Sequence, residues 1–188
     1  MRHTSLLHLA TMDALRIVRK GMLSFTVGNL VVTRIDVNII FKVEHKHSHS
    51  TGRRLLIDPA GNPILTLPRL SFDDRWQVFR GDSKESRDLI FSAKRSSGFQ
   101  LKTTLHVFLA NNTTENAPDL KIKGSWLQRS CVIYAGKSST IIAQMHKKQT
   151  ANLFAKDTFI VTISPGIDYA FIVALIVILD AINLDNGD

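Results

Sequence analysis

The sequence has a single cysteine, Cys131, and lacks the short motifs that mark common active sites. One cysteine excludes an intrachain disulfide and a CxxC metal knuckle, and it fits a reducing compartment such as the cytoplasm. GxSxG, P-loop, HExxH and glycine-rich dinucleotide motifs are all absent. Cys131 lies in an apolar stretch, where a buried structural thiol is the usual outcome. The sequence therefore predicts a protein that is not an enzyme and binds no cofactor.

The sequence also lacks an apolar run long enough to cross a membrane. Tyr169–Leu179 is an apolar run of eleven residues bounded by Asp168 and Asp180. A spanning helix needs about 20 residues, each adding ~1.5 Å. Ser164-Pro165 suits an N-cap and a first helical position, which favours a helix over a strand. Because a helix that is apolar on every side must be surrounded by protein, we predict a buried central helix and no transmembrane span.

Internal repeats and Pro- or Gly-rich linkers are absent as well, so the chain is predicted to form one domain. We assign residues 15–188 to this domain and residues 1–14 to a poorly defined N-terminal segment.

Turn signals recur at short intervals between segments rich in β-branched and aromatic residues, which is typical of an antiparallel sandwich or barrel. In Leu101–Ala110, Leu105 and Val107 share one face, while Thr104 and His106 point the other way. A closed barrel is the simplest wall around the central helix. The predicted strands are Leu30–Ile35, Leu55–Ile57, Ile64–Leu67, Trp76–Phe79, Leu89–Ala93, Leu101–Ala110, Leu120–Ser125, Cys131–Tyr134, Thr140–Met145 and Thr158–Ile163.

Positive charge is in excess: 24 Lys and Arg stand against 16 Asp and Glu, a net charge of +8. Such an excess favours anionic partners, either phospholipid headgroups or nucleic acid, although a solvated basic surface without a specific partner has the same composition. Cations that converge on one rim could bind a phosphoinositide headgroup. Lys121 and Lys123 form one basic pair. The predicted anion- or lipid-binding residues are Arg53, Arg54, Lys94, Arg95, Lys147 and Lys148.

The segment Glu44–His49 places three imidazoles two residues apart, at His45, His47 and His49. Imidazoles on one face of an extended segment suit zinc, copper or nickel. A solvated polar loop is the simpler interpretation, and we assign no metal site.

Several longer segments resemble the plant LURP-one-related family, which belongs with the Tubby C-terminal-like fold. The resemblance runs almost continuously over residues 52–183. The segments that carry it are Asp73–Gly81, Asp88–Ser97, Phe99–Ala110, Lys121–Trp126, Ser130–Gly136, Ile142–Lys148 and Asp168–Asp180.

This resemblance implies a twelve-stranded antiparallel β-barrel around a central hydrophobic C-terminal helix. It also implies kinship with phospholipid scramblases and with Tubby-type, membrane-tethered transcription regulators, and a role in plant defence. The first quarter departs from the pattern: residues 15–20 and 25–31 resemble shortened opening strands, and residues 39–50 look like an unrelated insertion. The fold prediction is therefore this barrel, with its closure at the N-terminal strands left open.

Three functions compete at this point. The first is a non-enzymatic regulatory protein that binds anionic lipid through basic surface residues, in the cytoplasm, at the plasma membrane or in the nucleus. The second is a nucleic-acid-binding protein, although no helix-turn-helix, zinc-finger or RNP motif is present. The third is a scramblase-like lipid-handling protein, for which a helix-filled barrel leaves little room.

Overall fold

The structure is a computed structural model, and it describes residues 13–20, 29–34, 39–46, 53–70, 75–96, 103–125, 130–147 and 158–185. These residues form twelve β-strands, a short 3₁₀ turn at Ser86–Asp88 and the helix α1, Tyr169–Asp185. The strands are β1 (Asp13–Lys20), β2 (Asn29–Arg34), β3 (Ile39–Lys46), β4 (Arg53–Ile57), β5 (Pro63–Leu70), β6 (Arg75–Arg80), β7 (Leu89–Arg95), β8 (Thr103–Leu109), β9 (Leu120–Ser125), β10 (Ser130–Ala135), β11 (Ile141–Lys147) and β12 (Thr158–Ile163).

The strands form one closed antiparallel barrel in which each strand pairs with its neighbours in sequence. The first strand closes it, because β1 pairs with β2 on one side and with β12 on the other. Leu15 lies opposite Val161 of β12, and both side chains are buried. Closure removes the exposed edges on which open sheets aggregate. The twelve-stranded barrel is thus confirmed, and its N-terminal wall is complete.

The segment predicted as an insertion is instead part of the wall. Residues 39–46 form β3, which pairs with β2 and β4. The β2–β3 register shifts by one residue between Val32 and Thr33, where a β-bulge interrupts the ladder. The regular two-residue alternation that identifies a strand is weak here, because only Val43 in β3 is fully buried.

The helix α1 fills the barrel as predicted for Tyr169–Leu179. Residues 172–182 are all buried, and the ring of Phe171 meets that of Phe91 on β7 edge-on at 4.8 Å. The N-cap differs from the prediction: the Asp168 carboxylate, not Ser164, accepts hydrogen bonds from the backbone N–H groups of Ala170 (2.7 Å) and Phe171 (3.2 Å). Among the described residues, no helix has the length and hydropathy of a membrane span.

The wall has an inner and an outer face because side chains alternate along each strand. Inward side chains such as Val78, Phe91 and Ile133 pack with α1 in one hydrophobic core. Connections also cover parts of the outer face. The β6–β7 connection contacts this face, because the Thr66 hydroxyl on β5 donates to the Gly81 carbonyl (2.6 Å) and the Arg53 guanidinium on β4 donates to Asp82 (2.6 Å).

Candidate functional site

The candidate site is a row of outward side chains that crosses five neighbouring strands. The strand register places Arg75 (β6) opposite Lys94 (β7), Lys94 opposite His106 (β8), His106 opposite Lys121 (β9), and Lys121 opposite Tyr134 (β10). Directly opposed residues have Cβ atoms about 5 Å apart. We call these five residues the cross-strand row. They face outwards because the residues beside them in sequence, such as Trp76 and Ile122, belong to the core.

At one end of the cross-strand row, Glu115 neutralises two cations. Its carboxylate accepts two hydrogen bonds from the Arg75 guanidinium, at 2.5 and 2.8 Å, and one from the Lys94 ammonium at 3.2 Å. The hydrogen bonds from Arg75, followed by those from Lys94, lower the pKa of Glu115 to about 2 against the opposing effect of burial. Lys94 also lies 4.9 Å above the ring of Phe108, which is buried beneath it on the outer face.

Glu115 reaches these cations because the β8–β9 connection, residues 110–119, is a well-bonded turn. The backbone φ of Glu115 is +50°, in the left-handed region, which is uncommon for a residue other than glycine. The Asn112 side chain supports this conformation: its carbonyl oxygen accepts from the backbone N–H of Glu115 at 3.1 Å, and its amide donates to Asp119 at 2.8 Å. Asp119 in turn accepts from the backbone N–H of Leu109 at 2.9 Å.

At the centre of the row, His106 lies between two lysines. Partial burial lowers the pKa of His106, and the positive charges of Lys121 and Lys94 lower it further. The imidazole is therefore neutral at pH 7. It is only half-buried, and neither ring nitrogen has a hydrogen-bond partner within the described ranges.

At the other end of the row, positive charge is not neutralised. No carboxylate of the described residues forms an ion pair with Lys121 or with its outward neighbour Lys123. The Lys123 ammonium instead lies 5.7 Å from the centre of the Tyr134 ring. Tyr134 is opposite Ile141 on β11, whose side chain is 43% exposed. This end therefore combines two available cations with two apolar groups at the surface.

The residues predicted from sequence are not all part of this row. Lys94 belongs to it, whereas Arg95 is exposed at the end of β7. Arg53 donates a 2.6 Å hydrogen bond to Asp82, with which it forms an ion pair. Lys147 is the last residue of β11 and its side chain is outside the described residues, as is the whole of Lys148.

The predicted convergence on one rim is only partly reproduced. The antiparallel connectivity puts the start of β4 (Arg53), the end of β7 (Arg95) and the end of β11 (Lys147) at the same mouth of the barrel, away from the start of α1. However, at least two strands separate each pair of these strands, and neighbouring strands lie about 4.8 Å apart. These cations are therefore distributed around the circumference.

Arg54 is a correction to the sequence prediction, because it points into the barrel. Its side chain is 7% exposed, its guanidinium donates a 2.8 Å hydrogen bond to the carbonyl of Val177 in α1, and it lies 5.7 Å from the centre of the Trp76 ring. The adjacent Arg53 and Arg54 look alike in sequence. Alternation along β4 sends one outwards and the other to the helix.

The structure gives no support for a reactive cysteine or a metal site among the residues that it describes. Burial raises the pKa of the Cys131 thiol to about 12, so at neutral pH it is not the nucleophilic thiolate. His45 is on β3, while His47 and His49 lie outside the described residues. In the part of the chain that the structure describes, no group of three or more potential metal ligands is present.

A cleft of about 230 Å³ opens beside the start of α1, lined by Ile64, Arg80, Phe91 and Phe171 among others.

The cross-strand row as a unit was missed by sequence reasoning. The outward position of His106 was predicted from alternation in β8, and Lys121 and Lys123 were recognised as a basic pair. The connection between them depends on which residues of different strands are opposite each other, and alternation within one strand does not specify this register.

The chain is similar to proteins of known family. It matches the sequence profile of the LURP-one-related family over residues 15–180. The LURP-one-related 15 protein of Arabidopsis thaliana is 50% identical, over 90% of this chain and 80% of its own length. The LURP-one-related 10 protein of the same plant is 48% identical, over 93% and 92%. An X-ray structure of another A. thaliana protein, 43% identical, superposes with a TM-score of 0.72 over 93% of both chains.

Proposed function

We propose that this chain, which belongs to the LURP-one-related family, is a binding protein that attaches to anionic phospholipid membranes through the outer face of β7–β10. The observation that supports this most directly is the cross-strand row, with Lys121 and Lys123 free of carboxylate partners among the described residues. The proposed role is binding rather than catalysis. The regulatory and defence roles implied by the family resemblance are part of the same proposal.

The physical basis is the attraction of a basic surface to an anionic membrane. A lysine near such a surface contributes about 1 kcal/mol, so two available lysines give weak, reversible attachment that salt reduces. Tyr134 and Ile141 add apolar contact beside the charges, and tyrosine is favoured where one end of a ring is apolar and the other is hydrated. The barrel would therefore lie on the membrane with the outer face of β7–β10 against it.

The filled interior favours binding outside the barrel. The buried residues 172–182 of α1 occupy the space that a transported lipid would need. The cleft beside the start of α1 has a volume of about 230 Å³, below the roughly 300–1,000 Å³ of typical small-molecule sites. Surface recognition of a headgroup is thus favoured over enclosure of a lipid.

Vesicle flotation tests the proposal. The full chain is mixed with phosphatidylcholine vesicles, alone or containing phosphatidylserine or phosphatidylinositol 4-phosphate, at physiological salt. Lys121→Gln/Lys123→Gln should reduce flotation with the anionic vesicles several-fold, because it removes the two available charges.

The matched control is Lys42→Gln/Lys84→Gln, which lowers the net charge equally on β3 and in the β6–β7 connection. It should float like the unmodified chain. Equal losses in the two double variants would mean that only net charge matters and would reject the site. Binding to duplex DNA at the same salt, without binding to vesicles, would favour the nucleic-acid alternative over the lipid proposal.

A further inference from the structure

His106 lies at the centre of three adjacent hydrogen-bond donors on the outer face. It is flanked on the same outer face by Lys94 and Lys121, each directly opposite it in the register. Three potential donors thus lie on three adjacent strands, with neighbouring Cβ atoms about 5 Å apart. Terminal phosphate oxygens accept hydrogen bonds from such groups, and three adjacent donors match the three terminal oxygens of a phosphate ester.

The charged groups around His106 are all on this face. Lys94 of β7 is shared with Glu115, which the Arg75 guanidinium also holds. On β9, Lys121 faces His106 directly and Lys123 lies diagonally to it. Thr104 and Phe108, the outward neighbours on β8 itself, carry no charge. The imidazole is therefore surrounded by net positive charge, which keeps it neutral while the site is empty.

We propose that Lys94, His106 and Lys121 form a phosphomonoester-binding site in which His106 takes up a proton from solvent as the dianion binds. This inference rests on the proposed membrane binding only when the phosphate belongs to a lipid headgroup. The two negative charges of a phosphomonoester offset the lysines and turn the imidazole into a third cationic donor. Binding therefore couples to protonation, and acidification strengthens it.

The site should distinguish phosphomonoesters from phosphodiesters. A phosphomonoester has three terminal oxygens and carries a charge of about −1.5 to −2 at pH 7. A phosphodiester, such as the phosphate of phosphatidylserine, has two non-bridging oxygens and one negative charge. It leaves one donor unmatched and stabilises the imidazolium less. Phosphatidylinositol 4-phosphate is therefore the preferred headgroup class in a membrane, and a soluble phosphate ester offers the same chemistry without one.

Binding as a function of pH is the decisive experiment. Vesicles with phosphatidylinositol 4-phosphate are compared at pH 7.5 and 6.0 with phosphatidylserine vesicles of equal surface charge, and inositol 1,4,5-trisphosphate serves as the soluble probe. The chain should bind the phosphomonoester probes about fivefold more tightly at pH 6.0 than at pH 7.5. Each unit by which the bound anion raises the pKa of His106 can increase the affinity up to tenfold at low pH. His106→Gln should lose this gain and bind no more tightly at pH 6.0 than at pH 7.5, because protonation of the phosphate itself lowers the charge of the anion.

Two further variants separate protonation from structure. His106→Lys places a permanent charge in the row and should bind at least as tightly at pH 7.5 as at pH 6.0. His146→Gln removes an exposed histidine of β11 and should behave like the unmodified chain. An NMR titration should show that inositol 1,4,5-trisphosphate raises the pKa of His106. Thermal unfolding of each variant confirms that it is folded.

The outcomes distinguish this inference from the proposed function. Equal binding of both vesicle types, with the same pH dependence in His106→Gln, would overturn the phosphomonoester site while the membrane proposal stands. Tight, proton-linked binding of inositol 1,4,5-trisphosphate without vesicle binding would support the site and reject the membrane proposal. An unchanged pKa of His106 in the presence of a bound probe would reject proton uptake.

Discussion

Two regions of the barrel use cations in opposite ways. At the junction of β4 and α1, the Arg54 guanidinium is buried and bonded to the Val177 carbonyl. On the outer face of β7–β10, Lys121 and Lys123 have no carboxylate partner among the described residues. Both regions contain Arg or Lys, and the face of the strand from which the side chain projects decides the difference. A cation that points inwards becomes part of the packing, while one that points outwards is available to a ligand unless a carboxylate pairs with it, as Asp82 does with Arg53.

The cost of a misplaced charge differs between the regions for the same reason. In the barrel interior, water is excluded and an ion is stable only with nearby partners. On the outer face, water and counter-ions solvate the charge, so a substitution changes stability little. Stability measurements should therefore be sensitive to the inner region, and binding measurements to the outer one.

The largest expected effect on stability is that of a charge placed inside the barrel. Ile176→Asp puts a carboxylate at a position that is 4% exposed in α1. An unpaired buried charge costs about 5 kcal/mol, comparable with the whole stability of a small domain, so this variant should not fold. Lys123→Asp changes the charge by two units on the outer face and should stay within about 0.5 kcal/mol of the unmodified chain. Circular dichroism during urea unfolding measures both, and a folded Ile176→Asp would contradict the buried-helix architecture.

Adjacent arginines provide the next comparison. Arg54→Met keeps most of the side-chain volume but removes the hydrogen bond to Val177 and the contact with Trp76, and should lower the free energy of unfolding by about 2 kcal/mol. Arg53→Met removes a partly exposed ion pair with Asp82 and should cost less than about 1 kcal/mol. Urea unfolding at pH 7 distinguishes the two. Equal losses would mean that the inward position of Arg54 has no energetic importance.

Most of the wall and the helix follow from local patterns in the sequence. Ten strands were predicted from β-branched segments and turns, and Tyr169–Leu179 was recognised as a buried helix because it is too apolar for solvent and too short for a membrane. The third strand was missed because Val43 is its only fully buried side chain, which leaves little alternation to read.

The candidate site was harder to predict than the fold because it depends on relations between strands. Arg53 and Arg54 could not be assigned to faces without knowing where β4 begins. Glu115 comes from a connection whose left-handed backbone at a non-glycine residue has no sequence signature. Its pairing with Arg75, forty positions earlier in the chain, follows only from the folded barrel.

An intermediate effect on stability is expected from the loss of Glu115, which neutralises one end of the cross-strand row. Glu115→Gln removes the ion pairs with Arg75 and Lys94 and should lower stability by about 2 kcal/mol at pH 7. Because folding lowers the pKa of Glu115 from 4.5 to about 2, its contribution is complete above about pH 4.5 and is lost as the pH falls towards 2. The difference in unfolding free energy between the two proteins should therefore shrink between pH 6 and pH 3.

The Glu115→Gln variant also tests whether Glu115 limits the binding of anionic vesicles by the outer face of β7–β10. Without it, Arg75 becomes available and Lys94 no longer shares its ammonium with Glu115, so flotation with anionic vesicles should increase about threefold or more. Glu44→Gln, which raises the net charge equally at an exposed position of β3, serves as the control. Unchanged flotation of Glu115→Gln would show that these two cations do not take part in binding.

The smallest expected effect on stability is that of His106. Its pKa is lower in the folded chain than in the unfolded one, so below about pH 6.5 the unfolded state binds more protons and the folded state loses stability as the pH falls. His106→Gln should therefore lose less stability than the unmodified chain between pH 7.5 and pH 5.5, by less than about 1 kcal/mol. A saturating phosphomonoester should reverse this difference, because a protonated imidazole then stabilises the complex. Urea unfolding at both pH values, with and without inositol 1,4,5-trisphosphate, measures the reversal; a difference of the same sign in both conditions would contradict protonation on binding.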